Sequence, residues 1–346
     1  MAHDLLIRNA TIVDGSGGAR YRADVGIRHT RIAEIGRILT PAKEVVDADG
    51  LILSPGFIDG HTHMDAQVSW DPLGSCSCWH GVTSVIMGNC GFALAPCSPA
   101  QRDWFAKCLE AVEDIPVEAM MEGIAWTWET FPEYLDSVDR LPKGINYGAY
   151  IGHSALRMYA MGKRGLTEKA NRDDLKKMGH SVIEALRAGA LGFSSSRSPT
   201  HTTPDGSPIA SRIADWRELD YIVNEMAKVN AGVFQCAPDI TSGATHRATL
   251  KRFRKMALAS GRPIMVPTVA TRQGDRPITS QYQTTFLDDS ADAGARIHGQ
   301  ATTRSINAIF SLKTYLPFDA LPGWRKFRSR SIADQKRYLA NPRNRR

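Results

Sequence analysis

The sequence predicts an α/β chain in which a small β domain, residues 1–54, precedes a barrel of parallel βα units, residues 55–346. Three observations predict it. Residues 4–53 hold short alternating strands punctuated by glycine. After Pro55, apolar strands alternate with helical stretches, the pattern of parallel βα units. The first of these strands ends in His61-Thr62-His63.

The alternation begins in Leu6-Ile7-Arg8-Asn9-Ala10-Thr11-Ile12-Val13 and marks a half-buried strand. Residues 24–27 and 31–35 read as the arms of a hairpin, and 45–53 closes the set. Some 50 residues cannot bury a large core alone, so this domain must pack on something. Beyond Pro55 the strand candidates are 56–59, 84–87, 146–151, 190–194, 232–235, 263–266 and 296–300. Helical segments are expected at 99–113, 168–188, 215–229, 248–260 and 284–293. Asp173-Asp174 gives one of them the acidic start that complements a helix dipole, and Gly189 and Gly261 fit left-handed C-caps. Residues 122–139, with Trp126, Trp128, Phe131 and Tyr134, form an aromatic insertion that reads as core, covering lid or pocket wall. Seven strands at this spacing suit a (β/α)8-type TIM barrel. After Gln300 the chain reads as loop and then a basic helix over 324–339, with no eighth apolar strand, so the barrel is expected to lack its last unit. Such an opening leaves unpaired edges. Either the chain is a fragment, or a partner chain, as in a homo-oligomer, closes it.

Composition bounds the function. Apolar residues make up 42% and charged residues 23%, ordinary for a globular chain able to bury a core. No apolar run reaches the roughly 18 residues of a membrane span. The N-terminus lacks a signal peptide's basic stretch and long apolar run, so a cytoplasmic protein with no membrane partner is expected. Six cysteines (Cys76, Cys78, Cys90, Cys97, Cys108 and Cys236) form no regular disulfide framework. Cys76-Ser77-Cys78 has no second pair at zinc-ribbon spacing. The net charge is +7, yet residues 312–346 alone carry ten Lys/Arg and two Asp. A basic tail without an aromatic stacking platform or a recognised motif predicts no nucleic-acid binding.

The strongest chemical signal is Gly56-Phe57-Ile58-Asp59-Gly60-His61-Thr62-His63. Residues i and i+2 of a strand point the same way, so both imidazoles face one side at the C-terminal edge, where barrel enzymes place their sites. Two neutral imidazoles there make half of a divalent-metal site.

This run, with the preceding β domain, resembles the first-strand signature and small domain of the amidohydrolase superfamily. Val82-Thr83-Ser84-Val85-Ile86-Met87-Gly88-Asn89-Cys90-Gly91-Phe92 resembles the second strand of its D-aminoacylase (N-acyl-D-amino-acid deacylase) branch. Gly152-His153-Ser154-Ala155-Leu156-Arg157 and Gly189-Ala190-Leu191-Gly192-Phe193-Ser194-Ser195-Ser196-Arg197 continue the likeness. The resemblance implies a metal set of His61, His63 and Cys90 holding one or two zinc ions. His153 and Arg197, at strand ends, are candidates to hold a substrate carboxylate or polarise an amide. The implied reaction is zinc-dependent hydrolysis of a linear amide, turning a small-molecule N-acyl-D-amino acid into a D-amino acid and a carboxylate.

Two departures stand against it. The family completes its metal site with histidines on the fifth and sixth strands, where this chain reads Val233-Phe234-Gln235-Cys236-Ala237-Pro238-Asp239 and Ile264-Met265-Val266-Pro267. Cys236 or Asp239 is a substitute ligand by type, and His201 and His246 are expected in loops able to approach. The family's general base, an Asp after the eighth strand, has no match, so the catalytic residue is left open. The alternatives are a cyclic amide or imide hydrolase of the same superfamily, against which Cys90 in place of a bridging lysine argues, and a non-catalytic metal-binding remnant.

Overall fold

The computed structural model describes residues 2–113, 115–203, 206–267, 269, 280–302, 316 and 321–345. It divides into two compact units, residues 1–58 with 81–83, and residues 59–80 with 84–346. The sequence placed this boundary at residue 54.

The first unit is a five-stranded sheet of β1 (His3–Ile12), β2 (Tyr21–Arg28), β3 (Arg31–Gly36), β4 (Ala42–Asp47) and β5 (Ile52–Leu53). Its order is β3-β2-β1-β4, with β5 also on β1. β1 is antiparallel to β2 and parallel to β4 and β5. A bulge between Ile7 and Ala10 interrupts its pairing with β2, where Asn9 adopts φ 61°. The core here is small: Ala10, Ile12, Val25 and Ala48. Much of the sheet's other apolar surface, including Ile32, Ile35, Val45 and Ile52, is exposed.

The second architecture is a seven-stranded sheet of β6 (Phe57–Asp59), β7 (Val82–Met87), β8 (Asn146–Gly152), β9 (Gly192–Ser196), β10 (Val233–Ala237), β11 (Ile264–Val266) and β12 (Ile297–Gly299). The strands lie in strict sequence order, with parallel pairing from β7 through β12. The sheet curls: the Gln300 side chain, just past β12, bonds to Gly60 and His61, just past β6. All seven expected strands are present. The region where an eighth was sought, 303–320, lies outside the described residues except for Leu316.

Helices cover the sheet because their apolar residues recur at helical spacing. In helix Arg172–Ala188, Met178, Val182 and Ala185 are buried. Asn171 caps its N-terminus by accepting from Asp173 and Asp174 N–H, and Gly189, at φ 112°, ends it. Helix Trp216–Lys228 buries Leu219, Ile222, Val223 and Met226 below an Asp215 cap. Helix Gly243–Ser260 begins five residues earlier than the sequence suggested, because the Ser242 hydroxyl accepts from Thr245 N–H. His246 therefore sits in a helix, which corrects the loop expected for it. Phe193 stacks on Phe234 at 5.5 Å, and Phe234 meets Phe253 edge-on at 6.1 Å, tying β9 and β10 to that helix. Trp126, Trp128, Phe131 and Tyr134 are all buried in the main core, with the Trp128 indole N–H donating to Leu94 O. The basic segment forms two helices, Pro322–Arg328 and Ile332–Ala340, where the sequence suggested one.

Candidate metal centre

The C-terminal edge of the sheet brings His61, His63 and Cys90 together. Their ligand atoms all lie within 4.8 Å of one another, and they are the cluster of this kind found among the described residues. Cys90 Sγ is 3.3 Å from His61 Nε2, and the two imidazoles meet edge-on at 5.4 Å. Two imidazoles and a thiol at this separation match the donor chemistry of a zinc site, so the residues present fit the ion.

Strand pairing continues beyond β6 and sets the orientation. Thr62 turns toward β7, where both its N–H and its hydroxyl donate to Ile86 O. Its neighbours His61 and His63 therefore share the other face. The segment Gly88-Asn89-Cys90-Gly91 then turns sharply, with φ of 76° at Gly88, 57° at Cys90 and 78° at Gly91. Each turn residue is pinned. Gly88 N–H donates to Asp65 Oδ2, and the Asn89 amide donates to Thr62 O and Ile86 O. Cys90 N–H donates to Gln235 Oε1, and Gly91 N–H to the Ser194 hydroxyl. Burial pushes the Asp65 carboxyl up to about 7.

The three serines of β9 alternate about the sheet, and each has a partner, as buried hydroxyls require. Ser194 donates to Gly88 O, and Ser196 bonds His201 Nδ1 at 2.7 Å. Ser195 instead bonds His153 Nδ1 at 2.8 Å. His201 joins the trio's surroundings through Phe92, whose ring meets His63 at 6.2 Å and His201 at 5.2 Å. Burial pushes His63 down to about 3 and His201 down to about 4, and it lowers His61. All three rings are therefore neutral at neutral pH.

The remaining sequence candidates lie elsewhere. His153 is fully buried as the first residue of helix His153–Met161. Its Nε2 faces Glu218 Oε1 at 2.7 Å, and the Arg157 guanidinium pairs with the other Glu218 oxygen. This geometry ties His153 into a buried network and does not bring it to the trio. Arg197 donates to Ala214 O and lies over the Trp216 ring at 5.2 Å. Asp239 accepts from Thr241 in a local turn, and the buried Cys236 thiol faces Ala237 O. Cys76 and Cys78 lie on a short helix, Ser75–Cys78. The side chains that do converge on the trio and that sequence reasoning passed over are Gln235 and Gln300.

The buried network carries a pH prediction. Burial is the first cause lowering His153, and bonds from His153 and Arg157 hold Glu218 below its ordinary range. A lowered histidine means that the unfolded chain binds a proton first as pH falls below about 6.5, and a lowered glutamate repeats this below about 4.3. The network's contribution to stability is thus full above pH 6.5 and is lost toward acid. His153→Gln should flatten the urea midpoint between pH 7 and 5, removing up to about 1.4 kcal/mol per pH unit of slope. Identical slopes in the two proteins would refute it.

The amidohydrolase family profile matches residues 44–340. An uncharacterized protein of Mycobacterium tuberculosis (strain ATCC 25618 / H37Rv) is 34% identical over 253 residues, covering 69% of this chain and 41% of that protein. The D-aminoacylase of Alcaligenes xylosoxydans xylosoxydans is 35% identical over 192 residues, 55% of this chain and 37% of that one. The structure of the N-acyl-D-glutamate deacylase from Bordetella bronchiseptica, in complex with zinc and a phosphonate inhibitor, superposes with a TM-score of 0.68 at 25% identity. That match covers 87% of this chain and 58% of the other. The chain thus spans about two fifths of the length of the curated relatives it matches first. With its parallel strands in sequence order and its family match over most of its length, the chain belongs to the amidohydrolase family.

Proposed function

We propose that this chain serves a metal-dependent hydrolase of amide C–N bonds, with an N-acyl-D-amino acid as substrate and zinc at His61, His63 and Cys90. The observation that carries the reading is the convergence of these three ligand atoms at the C-terminal edge of the sheet. The deacylase relatives support the substrate class. His61, His63 and Cys90 would hold the metal, which when bound would supply Lewis acidity toward water and the scissile carbonyl.

Phe92 and the Ser196-bonded His201 would form one wall beside the site. Arg212 donates to His201 O and Pro199 O, which holds a guanidinium beside that wall for a carboxylate-bearing substrate. Arg197 remains a second candidate for that carboxylate.

Zinc content of the purified chain, beside His61→Ala and Cys90→Ala, tests the first half. Wild type should retain the metal and each variant should lose it. Equal zinc in all three rejects the site. Release of free amino acid from N-acyl-D- and N-acyl-L-amino acids tests the second half. Zinc-loaded protein that releases neither, or that opens only cyclic amides, rejects the substrate assignment.

A further inference from the structure

The two glutamines nearest the trio each touch a backbone group that fixes which end of the side-chain amide points where. Past β12, Gln300 faces Gly60 O at 2.9 Å, and a carbonyl only accepts. The Gln300 NH2 must therefore lie on that side, which leaves Oε1 at 2.8 Å from His61 Nδ1. An oxygen that only accepts requires the proton on Nδ1. The lone pair of His61 then resides on Nε2, the atom that faces Cys90 Sγ.

On β10, Gln235 faces Cys90 N–H at 2.7 Å, and an N–H only donates. Its Oε1 must lie there, which directs the NH2 toward Cys90 Sγ at 3.9 Å and casts the sulfur as acceptor. Gln235 is fully buried, and burying a carboxamide is costly unless its groups are engaged. Both ends of this one engage Cys90. A side chain placed merely to fill the interior would be apolar at lower cost.

We propose that Gln235 and Gln300 are positioning residues of the metal centre, the first orienting the Cys90 sulfur and the second fixing the His61 tautomer. β10 thus serves the site through a carboxamide acting on a ligand, on the strand where the resemblance implied a further ligand. Neither glutamine touches the ion. Each raises affinity by presenting a donor atom already in its binding form, so that less reorganisation accompanies binding. This inference rests on the metal reading of the trio.

The test is cobalt(II) titration of the full chain, read by thiolate-to-cobalt absorption, together with 15N spectra of the histidines in metal-free protein. Wild type should show the thiolate absorption and a single Nδ1–H tautomer for His61. Gln235→Met should weaken cobalt binding about 10- to 100-fold and alter the thiolate absorption. Gln300→Leu should weaken binding by a similar factor, leave the thiolate absorption in place and mix the His61 tautomers. Gln300→Glu keeps an acceptor for Nδ1–H and should restore the single tautomer. If wild type binds no cobalt through sulfur, the metal reading fails. If it does, and the glutamine variants match it in affinity, absorption and tautomer, the metal reading stands and this inference fails. Should Gln235→Met not fold, the two Gln300 variants carry the same decision.

Discussion

Glu218→Ala is expected to destabilise the folded chain by about 3–5 kcal/mol, the cost of removing one partner from a buried ion pair. Glu218 Oε1 faces the neutral His153 ring, and Oε2 meets the Arg157 guanidinium, which is fully buried. Truncation leaves that guanidinium with only the carbonyls of Gly165 and Glu168, and it leaves the His153 N–H without an acceptor. Arg157 cannot shed its proton, so the charge remains in place and unpaired. Glu218→Leu combined with Arg157→Met should cost much less than the sum of the single changes, because the uncompensated charge leaves with its partner. Urea unfolding of the four proteins measures the coupling. A Glu218→Ala protein within about 1 kcal/mol of wild type would show that the network carries little.

Gly88→Ala should damage stability and metal binding together. A Cβ at Gly88 would lie 2.2 Å from Tyr150 O, a backbone atom inside β8 that cannot swing aside. The residue also sits at φ 76°, where a side chain costs roughly 1–2 kcal/mol. Gly189 separates the two effects: its φ is 112°, but nothing lies within 4 Å of its Cβ. Gly189→Ala should therefore show the backbone cost alone, and Gly88→Ala that cost plus about 1–3 kcal/mol of overlap. Because Cys90 follows two residues later on the same turn, Gly88→Ala should also weaken cobalt binding, which Gly189→Ala should not. Equal effects of the two changes on stability would mean that β8 yields more readily than a paired strand should.

Much of this architecture was legible in residue order, for physical reasons that also explain the misses. Strand and helix periods placed all seven parallel strands, because burial on a sheet imposes them locally. His61 and His63 were legible from their i, i+2 spacing alone. Cys90 was legible by its motif, but its left-handed backbone was not, since Gly88 and Gly91 signal a turn without saying where the thiol points. Gln235 and Gln300 were passed over because a search for ligand-type side chains ignores amides. Their signal was available: a carboxamide at a strand end, where an apolar residue would pack at lower cost. His153 stands one residue past β8, and at that position the sequence does not show whether a side chain enters the barrel mouth or packs behind the strand. What decides it is Glu218, 65 residues away, which no local pattern connects to it. His246 was misplaced because Ser242 starts its helix early.

The bond between His61 and Gln300 joins positions 239 apart in the chain, whereas His61 and Cys90 are separated by 29. By loop-closure entropy, the longer connection costs about 2 kcal/mol more to form from an open chain. The donor trio can thus meet early in folding, while the amide that fixes the His61 ring arrives only when the last described strand docks. An ion captured by a partly folded chain would be held by ligands in their final sequence but not yet in their final hydrogen-bonded form. If the trio holds an ion, its tight retention would then depend on the docking of β12, and loss of the His61–Gln300 bond would loosen the ion before it loosened the strands that carry its ligands.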